Sequence, residues 1–418
     1  MIKKYSVDKP LAYSWLLFFL GACFLFYKYI LQVSPAVMTT DLMRTYSLTG
    51  TTLGFLVGFY FYTYMVMQIP SGILLDKYGV RKVTSLAILL CACGVLLFSQ
   101  TSSFALACIG RLLIGFGAAF ATTSYMKIAG TWFPAQYFAL LSGFFGTACM
   151  AGAGTAEAPL AWLVNQVGWR NTLVFCALLG FILCVLFWFV VKENKSKHTQ
   201  KITANAQQFR WCDLIDLFRN KSNWPLIIYG GCAFTPVSVF GGLWGVPFIM
   251  AAYHLTKTSA ASSVSLAFFG FAAGGIIVGW IGKQLTKQWP VITIGAASSL
   301  FFLLIILYVP HLPVQLLNGC IFLFGLGASG FLQSYTIAKN INSATLIATV
   351  IGVFNMGDPL CGALAEPLIG KILDLHWDGL KVDDVRIFSV HAYQLGLSVL
   401  VGYLLVALIC CFFIKEKK

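Results

Sequence analysis

Five charged side chains stand inside long apolar runs: Lys28, Arg111, Glu157, Asp358 and Glu366. A charge in hydrocarbon costs about 3 kcal/mol or more unless it is paired or wetted, so each marks a place where ion chemistry is expected. Lys28, with Gln32 one turn further on the same helical face, is suited to hold a carboxylate or phosphate; the alternative is a structural pair with Glu157 or Asp358. Arg111 is expected either to bond helix backbone and tie spans together or to touch a solute. Glu157 and Glu366 each lie close to a proline (Pro159, Pro367) and can carry a proton, because burial favours the neutral acid, or can serve as neutral hydrogen-bonding groups in helix packing. Asp358, which precedes Pro359, has three readings: proton coupling, binding of a solute amino group, or pairing with Lys28.

Aromatic and amide side chains extend this set. Tyr60, Tyr64 and Gln68 recur every four residues, Trp244 sits in the glycine-rich run Gly241-Gly-Leu-Trp244-Gly-Val-Pro247, and Gln333, Tyr335 and Asn355 lie in later apolar runs. Singly, each is better explained by packing than by ligand contact; together they suit a polar organic solute. The His residues (His198, His254, His311, His376, His391) all fall in loops or at span ends. No HExxH, phosphate-cradling GxxxxGK[ST] or nucleophile elbow occurs, so hydrolysis and ATP-driven pumping have no residues to run on, and an enzyme is not expected. The Cys lie mostly inside apolar runs, where they behave as small hydrophobes; Cys91-x-Cys93 and Cys410-Cys411 lack partners at metal-site spacing, so neither a metal nor another cofactor is expected.

The elements that must position these groups are membrane helices. Of 418 residues, 59% are hydrophobic and only 10% charged, with mean hydropathy +0.83. A soluble domain carries about a quarter charged residues, so the surrounding partner is a lipid bilayer. Hydropathy places twelve spans near 13–36, 50–71, 83–103, 104–128, 137–163, 171–191, 224–251, 259–282, 290–309, 313–337, 346–371 and 391–414. Met1-Ile2-Lys3-Lys4 and the apolar run after it resemble a signal peptide, but no small-residue cleavage site follows, and the run is assigned to the first span. The polar stretch 192–223 divides the spans six and six, giving an N-terminal bundle over 1–191, a linker, and a C-terminal bundle over 224–418. Within the linker Asp213-Leu-Ile-Asp-Leu-Phe218 has the pattern of a short surface helix.

The net charge of +14 does not call for nucleic acid. Loops on the side of the N-terminus hold most Lys and Arg, and the opposite side holds only Arg44, Arg170, Lys257, Lys371, Lys381 and Arg386, which orients both termini to the cytoplasm. The halves also echo each other: Ala156-Glu-Ala-Pro-Leu-Ala161 and Ala365-Glu-Pro-Leu-Ile-Gly370 occupy the fifth span of each, and duplicated bundles imply a site between them.

Gly72-Ile-Leu-Leu-Asp76-Lys77-Tyr-Gly79-Val-Arg81-Lys82, between the second and third spans, resembles the signature loop of the major facilitator superfamily. Arg111-Leu-Leu-Ile-Gly115-Phe-Gly117 is similar to the family's fourth-span pattern, and Gly168-Trp169-Arg170 to its usual close of the fifth–sixth loop. Tyr27-Lys28-Tyr-Ile-Leu-Gln32-Val-Ser34-Pro35 and Gly352-Val-Phe-Asn355-Met-Gly-Asp358-Pro look closest to the anion:cation symporters with their lysosomal small-peptide relatives, and to the phagosomal transporters of intracellular bacteria. The chain departs from the family pattern in Gly279-Trp-Ile-Gly282-Lys283, which lacks the acid, in the fourth–fifth loop Trp132-Phe-Pro134-Ala-Gln136-Tyr137, and in a poor match to the drug-antiporter motif of span five.

The resemblance implies an all-α, twelve-helix major facilitator fold in a bacterial inner membrane, working as a monomer by rocking two bundles about a central site. It implies a latch at Gly72, Asp76, Gly79, Arg81 and Lys82, with Asp76 accepting from a helix N-terminus or pairing with Arg81 or another cation. The expected function is proton-coupled import of a small organic anion or zwitterion, such as an amino acid, short peptide, nucleoside or carboxylate. Lys28, Gln32, Tyr27, Tyr60, Tyr64, Trp244, Gln333, Tyr335, Asn355 and Arg111 are the expected solute contacts, and Asp358, Glu157 and Glu366 the expected proton carriers. The alternatives are export of a drug or siderophore, or a non-transporting receptor or subunit.

Overall fold

The computed structural model describes residues 11–133, 135–192, 219–342, 347–414 and 416. The surface helix expected at 213–218 and most of the linker lie outside the described residues, as do Met1–Pro10.

In the first half, α1 (Leu11–Val33) runs into a 3-10 turn (Ser34–Val37) with Pro35 in its first turn, and a short α2 (Thr39–Tyr46) crosses to α3 (Gly50–Tyr78). Thr49 caps α3 through a reciprocal bond with Thr52, satisfying backbone N–H groups that the first turn leaves open. Then come α4 (Val80–Gln100), α5 (Phe104–Ala118), α6 (Phe120–Trp132) and α7 (Ala135–Val190). Two glycines with positive φ make the sharp reversals: Gly79 between α3 and α4 (φ 85) and Gly168, where α7 folds back on itself (φ 79).

In the second half, α8 (Asn223–Val239) and α9 (Gly245–Tyr253) are joined by a π turn (Phe240–Trp244), followed by α10 (Lys257–Gln284), α11 (Trp289–Tyr308) and α12 (Val314–Ala328). A 3-10 turn (Ser329–Phe331), α13 (Leu332–Ile341), α14 (Ile347–Leu375) and α15 (Val390–Phe413) complete it. Between α14 and α15 lies a two-strand hairpin, β1 (Lys381–Val382) and β2 (Val385–Arg386), whose turn residues Asp383 and Asp384 both take positive φ.

Among the described residues, ten stretches are long and apolar enough to cross a membrane. The longest, Ala148–Val190, doubles back at Gly168 and so crosses twice; α14, made less apolar by Asn355, Asp358, Glu366 and two prolines, supplies one more. That makes twelve passes, and Phe189, Ile276, Ile294 and Phe412 stand exposed on the outer surface, where lipid tails are the matching solvent. The chain is an all-α polytopic membrane protein.

The halves repeat one packing device. Gly115 and Gly117 of α5 press on the carbonyls of Tyr60 (α3) and Ala87 (α4); Gly325 and Gly327 of α12 press on those of Ala267 (α10) and Gly295 (α11). A Cβ at any of these sites would collide with backbone, so only glycine lets the helices come this close. Both helices break directly afterwards, at Ala119 and at Ser329.

The passes alternate between a near end, where Leu11 and Phe413 lie, and a far end. Among the described residues, every hydrogen bond and ion pair between the halves is at the far end. Asp374 accepts from the Gly50 and Thr51 backbone N–H groups (both 2.8 Å) and the Thr51 hydroxyl (2.6 Å) while holding Arg386 at 3.0 Å. Lys257 meets Asp41 at 3.0 Å, Arg44 meets Asp383 at 2.9 Å, and Asn165 donates to the Thr258 hydroxyl.

Candidate functional site

Lys28 projects from α1 into the middle of the molecule and is 3% exposed. Its ammonium stands 3.7 Å from the centroid of the Tyr29 ring and 4.8 Å from that of Tyr64. Tyr64 stacks on Tyr60 one turn earlier in α3 (5.6 Å, 18° between planes), and the Arg111 guanidinium stands 5.1 Å from the centroid of Tyr60. Two stacked phenol rings are thus held between two cations, each ring offering its negative face.

The cations are committed differently. Arg111, 1% exposed, donates to the backbone carbonyls of Leu31 (α1) and Val57 (α3), both at 3.2 Å, and so ties two helices together. Lys28 has no acid within 4.0 Å among the described residues, so in this conformation it forms no ion pair with Glu157 or Asp358. Ring faces recover about 2 kcal/mol of a desolvated charge and leave its hydrogen-bonding valence free for another group. Gln32, on the same face, accepts from the Tyr60 hydroxyl at 3.4 Å.

The second half faces this cluster with an acid. Asp358 of α14 accepts from the hydroxyls of Ser238 (2.8 Å) and Thr235 (3.2 Å) of α8, and it is close enough to Lys28 for the two charges to act on each other. Tyr335 donates to Asn355 at 2.7 Å, on the same side of the second half as Asp358. Tyr29, Tyr64, Tyr335, Asn355 and Asp358 are half-buried around the nearly enclosed Lys28. Thr235 and Ser238 are site residues that hydropathy reading misses; their signal was two hydroxyls three apart around Pro236 in an otherwise apolar span.

Other expected contacts lie elsewhere. Tyr27 points away from Lys28, with its hydroxyl at Gly180 inside the first half, and finds no hydrogen-bond partner there. Gln333 is spent on helix packing, donating to the Val278 carbonyl of α10 at 2.9 Å and lying against Gly282. Trp244 is fully enclosed in the π turn, its indole N–H unpartnered. Gln68 is buried with its amide nitrogen unpartnered. An apolar recess of about 390 Å³ between Trp15, Phe18, Phe19 and Tyr125 faces outward and is no part of this cluster.

Glu157 and Glu366 are both 0% exposed, and no donor reaches any of their four carboxyl oxygens. In the signature loop, the expected latch, Asp76 pairs with Lys127 of α6 at 2.6 Å, and that lysine also donates to the Leu75 carbonyl. Arg81 is not its partner, since the guanidinium stacks on Trp188 at 4.7 Å; Lys82 is exposed, and Gly72 has open space where a Cβ would be.

A cation of the first half and an acid of the second thus face each other between the two bundles. The Major Facilitator Superfamily model matches residues 14–366. The chain is 24% identical to the uncharacterized transporter YybO of Bacillus subtilis (strain 168), over 88% of this chain and 89% of that one. It is 22% identical to the probable L-galactonate transporter of Escherichia coli (strain K12), over 83% and 80% respectively. Its fold is similar to the crystal structure of a bacterial homologue of the human lysosomal transporter Spinster in an inward-facing, unoccupied conformation, with TM-score 0.76, 17% identity and 97% of each chain covered. With the signature loop, the duplicated halves and a match over most of its length, the chain belongs to the Major Facilitator Superfamily, a family of membrane transporters and not of enzymes.

Proposed function

We propose that the protein imports a small organic monoanion of the sugar-acid type together with a proton, by alternating access between two six-pass halves. The observation that carries this reading is Lys28: a buried cation with no acid in ion-pair range, standing opposite Asp358. Arg111 is engaged by two carbonyls, which leaves Lys28 as the one cation at the centre without an ion-pair partner among the described residues and favours one carboxylate over two. Half-buried Tyr64, Tyr335 and Asn355 would meet hydroxyl groups, and the name of the L-galactonate relative supports the polyhydroxy acid class. Asp358, facing the bound anion, would take a proton as the anion enters, so that the two charges travel together. The near end would face the cytoplasm of a bacterium, following the Lys and Arg bias, and a single chain would be the working unit.

The test is binding of a metabolite panel (aldonates, aldarates, amino acids, nucleosides) to purified protein by ligand-induced thermal stabilisation, beside Lys28→Ala and Asp358→Asn. An aldonate is expected to bind at least about tenfold more weakly to Lys28→Ala, the loss of one charge-assisted contact. Asp358→Asn is expected to keep binding and lose its dependence on pH. A carboxylate that binds Lys28→Ala as well as wild type would sink the anchor.

A further inference from the structure

Glu157 and Glu366 occupy equivalent places in the two halves and equivalent places between them. Glu366 lies where α14 crosses α3: its backbone carbonyl abuts Gly54, and its Oε2 would stand 3.9 Å from a Cβ built on Gly58. Ala363, one turn before it, also rests on Gly58. In the other seam α7 crosses α10: Gly154, one turn before Glu157, rests on the Ser265 carbonyl and the Phe269 ring, and Asn165, two turns after it, bonds Thr258. The fifth pass of each half therefore packs on the second pass of the other, with one enclosed, unpartnered carboxyl beside each crossing.

An ionised carboxylate in either place would be an uncompensated charge in apolar surroundings, whereas the acid form lacks only hydrogen bonds, the cheaper of the two deficits. Around Glu366 the ionisable neighbours are Arg111 of α5, Asp358 of its own helix and Tyr62 of α3; Arg111 acts on it without coming within 4.0 Å. Among the described residues, none of the ionisable groups on the helices packed against α7, among them Lys28 and Tyr29 of α1, Cys91 and Cys93 of α4 and Lys257 of α10, acts on Glu157. We propose that Glu157 and Glu366 are a two-fold-related pair of proton sites in the seams, occupied while the far end is closed and emptied to water when it opens. Each carboxyl gives its O–H proton to water as its seam parts and must regain one before the seam can reseal. The pair sets which end is open; it stands apart from Asp358, although it rests on the alternating-access reading above.

The experiment is hydrogen–deuterium exchange of the full chain in lipid nanodiscs, without solute, in mildly acidic and mildly alkaline buffer, scaled for the intrinsic pH dependence of amide exchange. In the wild type, peptides from the far ends of α3 and α10 should exchange several-fold faster in alkaline buffer. The double variant Glu157→Gln with Glu366→Gln, which mimics the protonated pair, should stay slow in both; the double Glu→Asp variant should respond again. A wild type indifferent to pH would overturn the proposal. So would a Gln pair that keeps the full response, which would assign it to the far-end histidines His254, His311, His376 and His391. Because no solute is present, failure of the Lys28 and Asp358 assignment would leave this result unchanged, and the converse holds.

Discussion

Lys28 and Arg111 show how two buried cations of one cluster divide their work. Arg111 has a planar fork that spans the Leu31 and Val57 carbonyls, and its truncation to Ala removes two charge-assisted bonds that tie α1 to α3. Arg111→Ala should lower unfolding stability by about 3 kcal/mol, read as a drop in the thermal midpoint in detergent. Arg111→Lys should recover only part of it, since a lysine cannot reach two carbonyls in a fixed plane. The charges themselves were legible in the sequence because a lone ion in an apolar run stands out. The backbone tie of Arg111 was one of its two expected roles, whereas the hydroxyls of Thr235 and Ser238 that hold Asp358, and the lack of any partner for Glu157 and Glu366, were not legible. Tyr27 and Gln333 were drawn into the expected site by chemical type, and only their direction on the helix, into Gly180 and toward Val278, separates them from it.

The helices depend on close crossings that permit no side chain. At Gly54 an added Cβ would overlap the Glu366 carbonyl and Pro367, both of them backbone that cannot move aside. Gly54→Val should therefore part α3 from α14, abolish solute transport and raise labelling of a cysteine placed at Thr51. Gly72→Ala, where nothing lies within 4 Å, should change stability by no more than about 0.5 kcal/mol, although both glycines belong to one helix. All twelve passes were visible as apolar runs, to within a few residues. The irregular points were not: the break at Ala119, the π turn at Phe240–Trp244 and the Asp383-Asp384 hairpin are set by what packs against them and carry no hydropathy signal. The repeat Gly115-x-Gly117 and Gly325-x-Gly327 was in plain sight, yet only the carbonyls beneath it reveal that it is one device used twice.

At the scale of the molecule, the far end is held by a carboxylate of one half on the first turn of a helix of the other. Asp374 gathers two backbone N–H groups and a hydroxyl of α3 together with Arg386, a concentration of charge-assisted bonds at a helix N-terminus. Asp374→Ala should cost the far-end-closed state about 2 kcal/mol, a shift of roughly thirtyfold in the open-to-closed ratio, measured as faster far-end labelling with unchanged global unfolding. All the polar bonds that join the halves are also gathered there, among the described residues, and this makes the covalent connection between them expendable. Severed between Asn205 and Ala206 and produced as two separately tagged pieces in one cell, the chain should reassemble in the membrane, and the pieces should be recovered together on either tag. The same pieces carrying Asp374→Ala should come apart more readily on dilution. The transporter would then count as a dimer of unequal subunits that are delivered on a single message.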